Sequence, residues 1–167
     1  LLCARCHGHP EEAWGQDDNL GMAAFFGQIR LKVTDEWKEQ IVYRDPGAVM
    51  RDPRTGGPVP PRPLGGAPME IPPGVDPRAE FARWLTAPEN PWFARNIVNR
   101  IWYWLLGRGI VHEPDDLRPT NPPENPALLD HLAQELVAQK YDPKHIYRLI
   151  LNSRTYQLSS LPRYKTR

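Results

Sequence analysis

Apolar residues recur along this chain in two periods, and the changes of period divide it. From Gln16 to Gln28, residues Leu20, Ala23, Ala24 and Gly27 fall on one face while Met22, Phe25 and Phe26 widen it, which predicts an amphipathic helix. Asp17 and Asp18 sit where a helix N-terminus favours negative charge. The period then drops to two. Ile29-Arg30-Leu31-Lys32-Val33 alternates as a strand, with Gln40-Ile41-Val42-Tyr43 as its antiparallel partner across a turn at Thr34 to Glu39. From Asp76 the helical period returns. Asp76-Pro77 starts a helix with an N-cap and a first-turn proline, carrying Phe81, Trp84 and Leu85 inward and stopping before Pro88. A second helix runs from near Pro91 to Leu106, with Phe93, Ile97, Ile101, Trp104 and Leu105 on one stripe and Gly107 or Gly109 as its stop. Its Asn96, Asn99, Arg100 and Tyr103 need polar partners. A loop from Val111 to Asn125 follows, with four prolines and the pair Asp115-Asp116. The third helix, Pro126 to Lys140, spaces Leu129, Leu132, Ala133, Leu136 and Val137 for burial. The last runs from Pro143 to Ser153 or beyond, behind an Asp142 cap, and buries Ile146, Leu149 and Ile150.

Between these periodic regions lies a stretch without period. Twenty prolines are present in the chain, clustered between positions 46 and 91. Proline cannot donate to a ladder and glycine costs backbone entropy, so residues 46–75 are expected to be an extended connector of mixed polyproline character. The expected fold class is therefore mainly α: a small cysteine-bearing segment with a helix and a β-hairpin over 1–45, the connector over 46–75, and a block of about four helices over 76–167.

Charge excludes some partners. Lys plus Arg number 21 against 20 Asp plus Glu, so no global field draws the chain to nucleic acid or a membrane surface. Forty per cent hydrophobic residues, with six tryptophans, are enough for a core. No run reaches the apolar length of a transmembrane helix. The chain reads as a fragment of a longer protein, whose targeting signal would lie upstream.

Chemistry concentrates at one end. The chain's two cysteines both fall in Cys3-Ala4-Arg5-Cys6-His7, a C-x-x-C-H pentapeptide. That is the attachment pattern of a c-type haem: two thiols bond to the porphyrin vinyl groups and the adjacent histidine ligates the iron. Two other readings stay open. One is a reducible Cys3–Cys6 disulfide. The other is a zinc or iron site built from Cys3, Cys6, His7 and His9, although four tetrahedral ligands within seven residues leave the chain little slack. For a sixth iron ligand the thioethers are Met22, Met50 and Met69, and the imidazoles are His9, His112, His131 and His145. Met69, in a Pro-Gly loop, is the axial candidate; His9 is a candidate for supporting His7 or for binding the alternative metal.

Two stretches resemble known families. CARCHGHPEEAWGQDDNLGMAAFFGQI is similar to the C-terminal end of the domain-of-unknown-function family 1549, a cytochrome-like domain of large planctomycete proteins. Cys3, Cys6, His7, His9, Pro10 and Trp14 match the pattern C-A-Q-C-H-D-H-P-F-D-x-W. Gly8 replaces its acidic residue and Glu11-Glu12-Ala13 its Phe-Asp stretch, so position 8 supplies no carboxylate. From Asp76, DPRAEFARWLTAPENPWFARNIVNRIWYWLLGRGIVHEPDDLRPTNPPENPALLDHL resembles the start of the companion family 1553, and the match continues through Tyr141-Asp142, His145 and NSRTYQLSS. The resemblance implies a piece of a larger exported protein of the periplasm or cell envelope, straddling two domains. It further implies haem c at the cysteine motif, with the other domains of the parent and a redox protein as partners.

In the second stretch, Arg95, Asn99, Arg100, Asp115, Asp116, Asn121 and Arg154 match the family pattern. Asp115 and Asp116 could pair as general acid and base or hold calcium. The alternative is that Arg95 and Arg100 cap loop carbonyls or bridge to Asp115 and Asp116, tying the long loop to the second helix. Trp102 and Trp104 are flat aromatics suited to core packing or to stacking on a polysaccharide. No G-x-S-x-G, phosphate loop or H-E-x-x-H is present, and the sequence assigns no enzymatic activity. The leading expectation is haem-linked electron transfer. Its alternative is a non-haem metal or disulfide site in a scaffold that binds protein or polysaccharide.

Overall fold

The computed structural model describes residues 3–10, 12–36, 38–159 and 161. Glu11 and Ser160, named above in the two resemblances, lie outside the described residues. Among the described residues there are five α-helices and one two-stranded antiparallel sheet, so the chain is mainly helical with a small hairpin. It divides into two compact units, Leu1–Trp84 and Leu85–Arg167.

The first unit opens with a 3₁₀ turn, Cys3–Arg5, followed by helix α1, Gln16–Ala24. Gly15 precedes α1, and its N–H donates to the Asp18 carboxylate at 2.8 Å. The helix ends four residues earlier than its apolar pattern implied. Phe26, Gly27 and Ile29 each donate to the carbonyl three residues back, because Ile29 must already enter a strand. That strand, β1 (Ile29–Val33), pairs with β2 (Gln40–Arg44) in a register setting Leu31 opposite Val42. Phe25 is fully buried, and its ring lies 5.3 Å from that of Phe81 on α2, Pro77–Leu85. Asp76 caps α2 as its position before Pro77 predicts, accepting from Arg78 N–H at 3.0 Å.

Residues 46–75 carry neither helix nor regular strand, as their prolines and glycines dictate. They are nonetheless not extended. A tight turn brings Val59 N–H to Met50 O at 2.9 Å, and a second reversal brings Met69 N–H to Pro61 O at 2.7 Å. Between them Arg62 N–H reaches Gly21 O on α1 at 3.0 Å. A Cβ at position 21 would stand 2.7 Å from the Arg62 Cβ, so the approach depends on Gly21. Arg62 also pairs with Asp18. Burial alone would raise the Asp18 carboxyl, but the Gly15 N–H and the Arg62 guanidinium outweigh it and hold the group below its ordinary value.

The second unit contains α3 (Phe93–Leu106), α4 (Pro126–Ala138) and α5 (Pro143–Leu151). Local sequence sets their ends. Asn90 Oδ1 accepts from Phe93 N–H at 2.9 Å, Asn125 Oδ1 from Leu128 N–H at 3.1 Å and Asp142 Oδ1 from Lys144 N–H at 2.9 Å. Gly107 closes α3 in the left-handed conformation. The core is Ala94, Val98, Ile101, Ile110 and Val111 against Leu129, Leu132, Leu136, Ile146 and Ile150. The face that α3 buries is rotated from the expected stripe. Ala94 and Val98 point inward, while Trp104 is 60% exposed. Small side chains on that face meet the Leu129–Leu136 ridge of α4, and larger Phe93 and Ile97 are displaced to its edge.

Candidate functional site

The cysteine motif forms a single helical turn. Cys3 O accepts from Cys6 N–H at 3.3 Å and from His7 N–H at 3.4 Å. Positions i, i+3 and i+4 of such a turn share a side, and Cys3, Cys6 and His7 are all exposed. Ala4 between them is fully buried and seats the turn. Both thiols are free. His7 Nδ1 lies 2.6 Å from Gly8 O. A carbonyl can only accept, so Nδ1 is the donor, and in the neutral ring this leaves the lone pair for a metal on Nε2.

Two further bonds hold the turn. His9 N–H donates to Trp14 O at 2.8 Å, closing the loop between them. Gln16 Nε2, in the first turn of α1, donates to Cys6 O at 2.7 Å. Among the described residues, no three His, Cys, Asp or Glu side chains gather as a preformed metal site. Met69 shares a cavity of about 500 Å³ with Met50, Ala24, Gly27 and Pro77. That cavity adjoins the C-terminal end of α1, whereas Gln16 holds Cys6 at the N-terminal end, about 12 Å away along the axis at ~1.5 Å per residue. Neither Cys3, Cys6 nor His7 lines it.

The polar residues of the second unit are drawn together only in part. Arg100 makes a two-pronged pair with Asp115, with Nε 2.6 Å from Oδ1, and Asn96 adds a bond at 3.3 Å. The Arg100 guanidinium holds the Asp115 carboxyl below its ordinary value. Asp116 turns to Arg118 and accepts from Asn121 Nδ2 at 3.3 Å, with the same Asn121 amide donating to His112 O at 3.0 Å. The two carboxylates therefore serve separate cations rather than one proton. Arg95 pairs with Asp130 on α4 rather than with Asp115 or Asp116. Arg154 is exposed on the turn after α5.

A further tie between the loop and α3 is Asn99, wholly buried. Its Oδ1 accepts from Val111 N–H at 2.9 Å, while Nδ2 donates to Val111 O at 3.0 Å and to Pro114 O at 2.9 Å. Gly109 allows this, since a Cβ there would lie 2.2 Å from Val111 O. An asparagine beside the apolar Ala94, Val98 and Ile101 positions, ahead of G-x-G, was the available sequence signal for such a tie. Among the other candidates, Trp102 packs against the core, and Trp104 lines a cavity of about 510 Å³ with Phe93, Ile97, Tyr141, Pro143 and Tyr147. His145 Nε2 lies 2.9 Å from Glu135 Oε2, His112 3.4 Å from Glu113, and His131 is exposed.

These features define a mainly helical protein in which an exposed thiol–imidazole turn belongs to one unit and a loop braced by a buried asparagine to the other. Residues 77–167, more than half of the chain, match the family described as PSD1, Protein of unknown function (DUF1553), and the chain belongs to that family. No curated protein and no solved structure matches it.

Proposed function

We propose that Cys3, Cys6 and His7 attach a c-type haem and that this chain is a redox segment of a larger exported protein. The observation that carries the reading is the His7 Nδ1 bond to Gly8 O, on a turn whose two free thiols are exposed on either side of buried Ala4. The donor set fits the group: two thiols for thioether bonds and one oriented imidazole nitrogen for iron. Cys3 and Cys6 would hold the porphyrin edge and His7 Nε2 the metal. When bound, haem supplies reversible one-electron exchange at iron. The protein's own part is to fix the imidazole tautomer through Gly8 O and to hold the turn through Ala4 and Gln16. Met69 is not carried into the ligand set, given its place at the far end of α1. Partners on this reading are the remaining domains of the parent chain and a redox protein in the periplasm or envelope.

A pyridine haemochrome spectrum and peptide mass on the parent protein, made in an export-competent host with cytochrome c maturation, test the proposal. A c-type spectrum with haem mass on the peptide bearing Cys3 and Cys6 is expected. Unmodified peptide from a host that matures a control cytochrome would overturn it. The second reading, a disulfide or non-haem metal in a protein- or polysaccharide-binding scaffold, is favoured by the exposed free thiols and by the aromatic cavity at Trp104. Unmodified mass together with glycan retention would select it.

A further inference from the structure

We propose that Gln16 and Arg54 are positioning residues for the cysteine turn, and that the proline-rich segment acts through them as its brace. The inference rests on the haem reading only for its purpose; the brace itself is a property of the bare chain.

Gln16 has a donor and an acceptor on one planar amide, and both are engaged. Nε2 donates to Cys6 O at 2.7 Å, and Oε1 accepts from Arg54 Nη1 at 3.1 Å. Reversing the amide would set donor against donor at Arg54 and acceptor against acceptor at Cys6, so Arg54 selects the orientation that Cys6 needs. Arg54 is itself clamped. Its Nη2 donates to Asp17 at 2.6 Å and to Asp52 at 2.7 Å, its Nε reaches Asp52 at 3.0 Å, and its backbone N–H reaches Asp52 at 2.8 Å. Asp52 is fixed by the turn around it: its N–H donates to Gly57 O at 2.9 Å and its O accepts from Gly56 N–H at 2.8 Å.

The bond to Cys6 O has a particular consequence. Cys6 O and His7 N–H belong to one peptide plane. Gln16 holds the oxygen side, and Cys3 O holds the hydrogen side at 3.4 Å. The Cα atoms of Cys6 and His7 both lie on that plane, so its orientation sets where the second thiol and the imidazole stand relative to Cys3. The proline-rich segment thereby reaches the motif through a relay of Asp52, Arg54, Gln16 and Cys6.

The test measures the equilibrium between the dithiol and the Cys3–Cys6 disulfide in the bare full chain. In that exchange two thiol hydrogens and two electrons pass to one oxidised glutathione, giving two reduced glutathiones. The constant reports how the turn holds its sulfurs and needs no haem. Gln16→Ala and Gln16→Glu should each shift it about threefold or more, the scale of one lost hydrogen bond. Gln16→Glu retains an acceptor for Arg54 but cannot donate to Cys6 O, so it separates the brace from general loss of structure. Arg54→Ala should also shift the constant, and should add nothing in a Gln16→Ala background. Glu70→Ala, at an exposed position of the same segment and outside the relay, should leave it unchanged. Unmoved Gln16 variants, or additive effects of Gln16 and Arg54, would overturn the brace. In the maturation host, the doubly attached fraction should fall in the Gln16 variants. A shifted disulfide constant with no haem on any chain leaves the brace standing and removes the haem reading; haem on every variant with an unmoved constant does the reverse.

Discussion

Asn99 grips Val111 by both polar groups of one residue, accepting from its N–H at 2.9 Å and donating to its C=O at 3.0 Å. The pair imitates a backbone ladder where the loop has no strand to bond, and the same amide then reaches Pro114 O. The two Val111 groups that Asn99 satisfies are buried, and the core could not leave them bare.

Replacing that side chain should therefore be severe. Asn99→Ala leaves Val111 N–H and two carbonyls without their partner, at about 2–4 kcal/mol in unfolding free energy. Urea unfolding checks it, and a loss below about 0.5 kcal/mol would contradict the role assigned to Asn99.

Gly109→Ala should destabilise the second unit by about 1–3 kcal/mol, because its Cβ would stand 2.2 Å from Val111 O. Gly8→Ala is the matched control. Nothing lies within 4 Å of a Cβ there, so its stability should stay within about 0.5 kcal/mol of the parent. Thermal melts of the two variants side by side would show the contrast, and equal melting temperatures would refute it.

Cys3→Ala and Cys6→Ala should each leave folding within about 0.5 kcal/mol, since both side chains are exposed and unbonded. Each should remove one thioether bond in the maturation host. His7→Ala should keep both thioethers and alter the iron's coordination. Peptide mass and the absorption spectrum separate these outcomes, and a two-thioether product from either cysteine variant would refute the attachment sites.

Asp76 offers a pH test at the start of α2. Hydrogen bonds from the Arg78 side chain and backbone hold its carboxyl at about 2, against an ordinary value of 3.8. A carboxyl lowered on folding stabilises the folded state above its unfolded pKa, and that contribution disappears as pH falls from about 4 to about 2. An NMR titration of Asp76 should show the low midpoint, and Arg78→Ala should raise it. An unmoved midpoint in that variant would place the cause elsewhere.

Much of the secondary structure was legible because its signals are local. Asp76-Pro77, Asn125-Pro126 and Asp142-Pro143 each join a capping side chain to a proline whose missing N–H costs the first turn nothing, and all three start helices where they stand. The patterns of Ile29–Val33 and Gln40–Tyr43 likewise placed the hairpin, whose second strand runs one residue further, to Arg44. The tie between the long loop and α3 was legible in outline, as Arg100 does meet Asp115. Arg95 was assigned to the wrong element, because nothing in its neighbourhood announces Asp130 thirty-five positions later.

What the chain determines alone, then, is where helices and strands begin and that Cys3, Cys6 and His7 set thiols and an imidazole side by side, since both depend on neighbours a few bonds apart. Tertiary structure decided the rest. It chose Ala94 and Val98 over Trp104 as the inward face of α3, because facing helices select for fit as well as hydrophobicity. It buried Asn99 where a distant loop needed an amide, and it folded residues 46–75 back on α1 through Gly21 and Arg62. Contacts of that kind join positions far apart in sequence, and no local period encodes them.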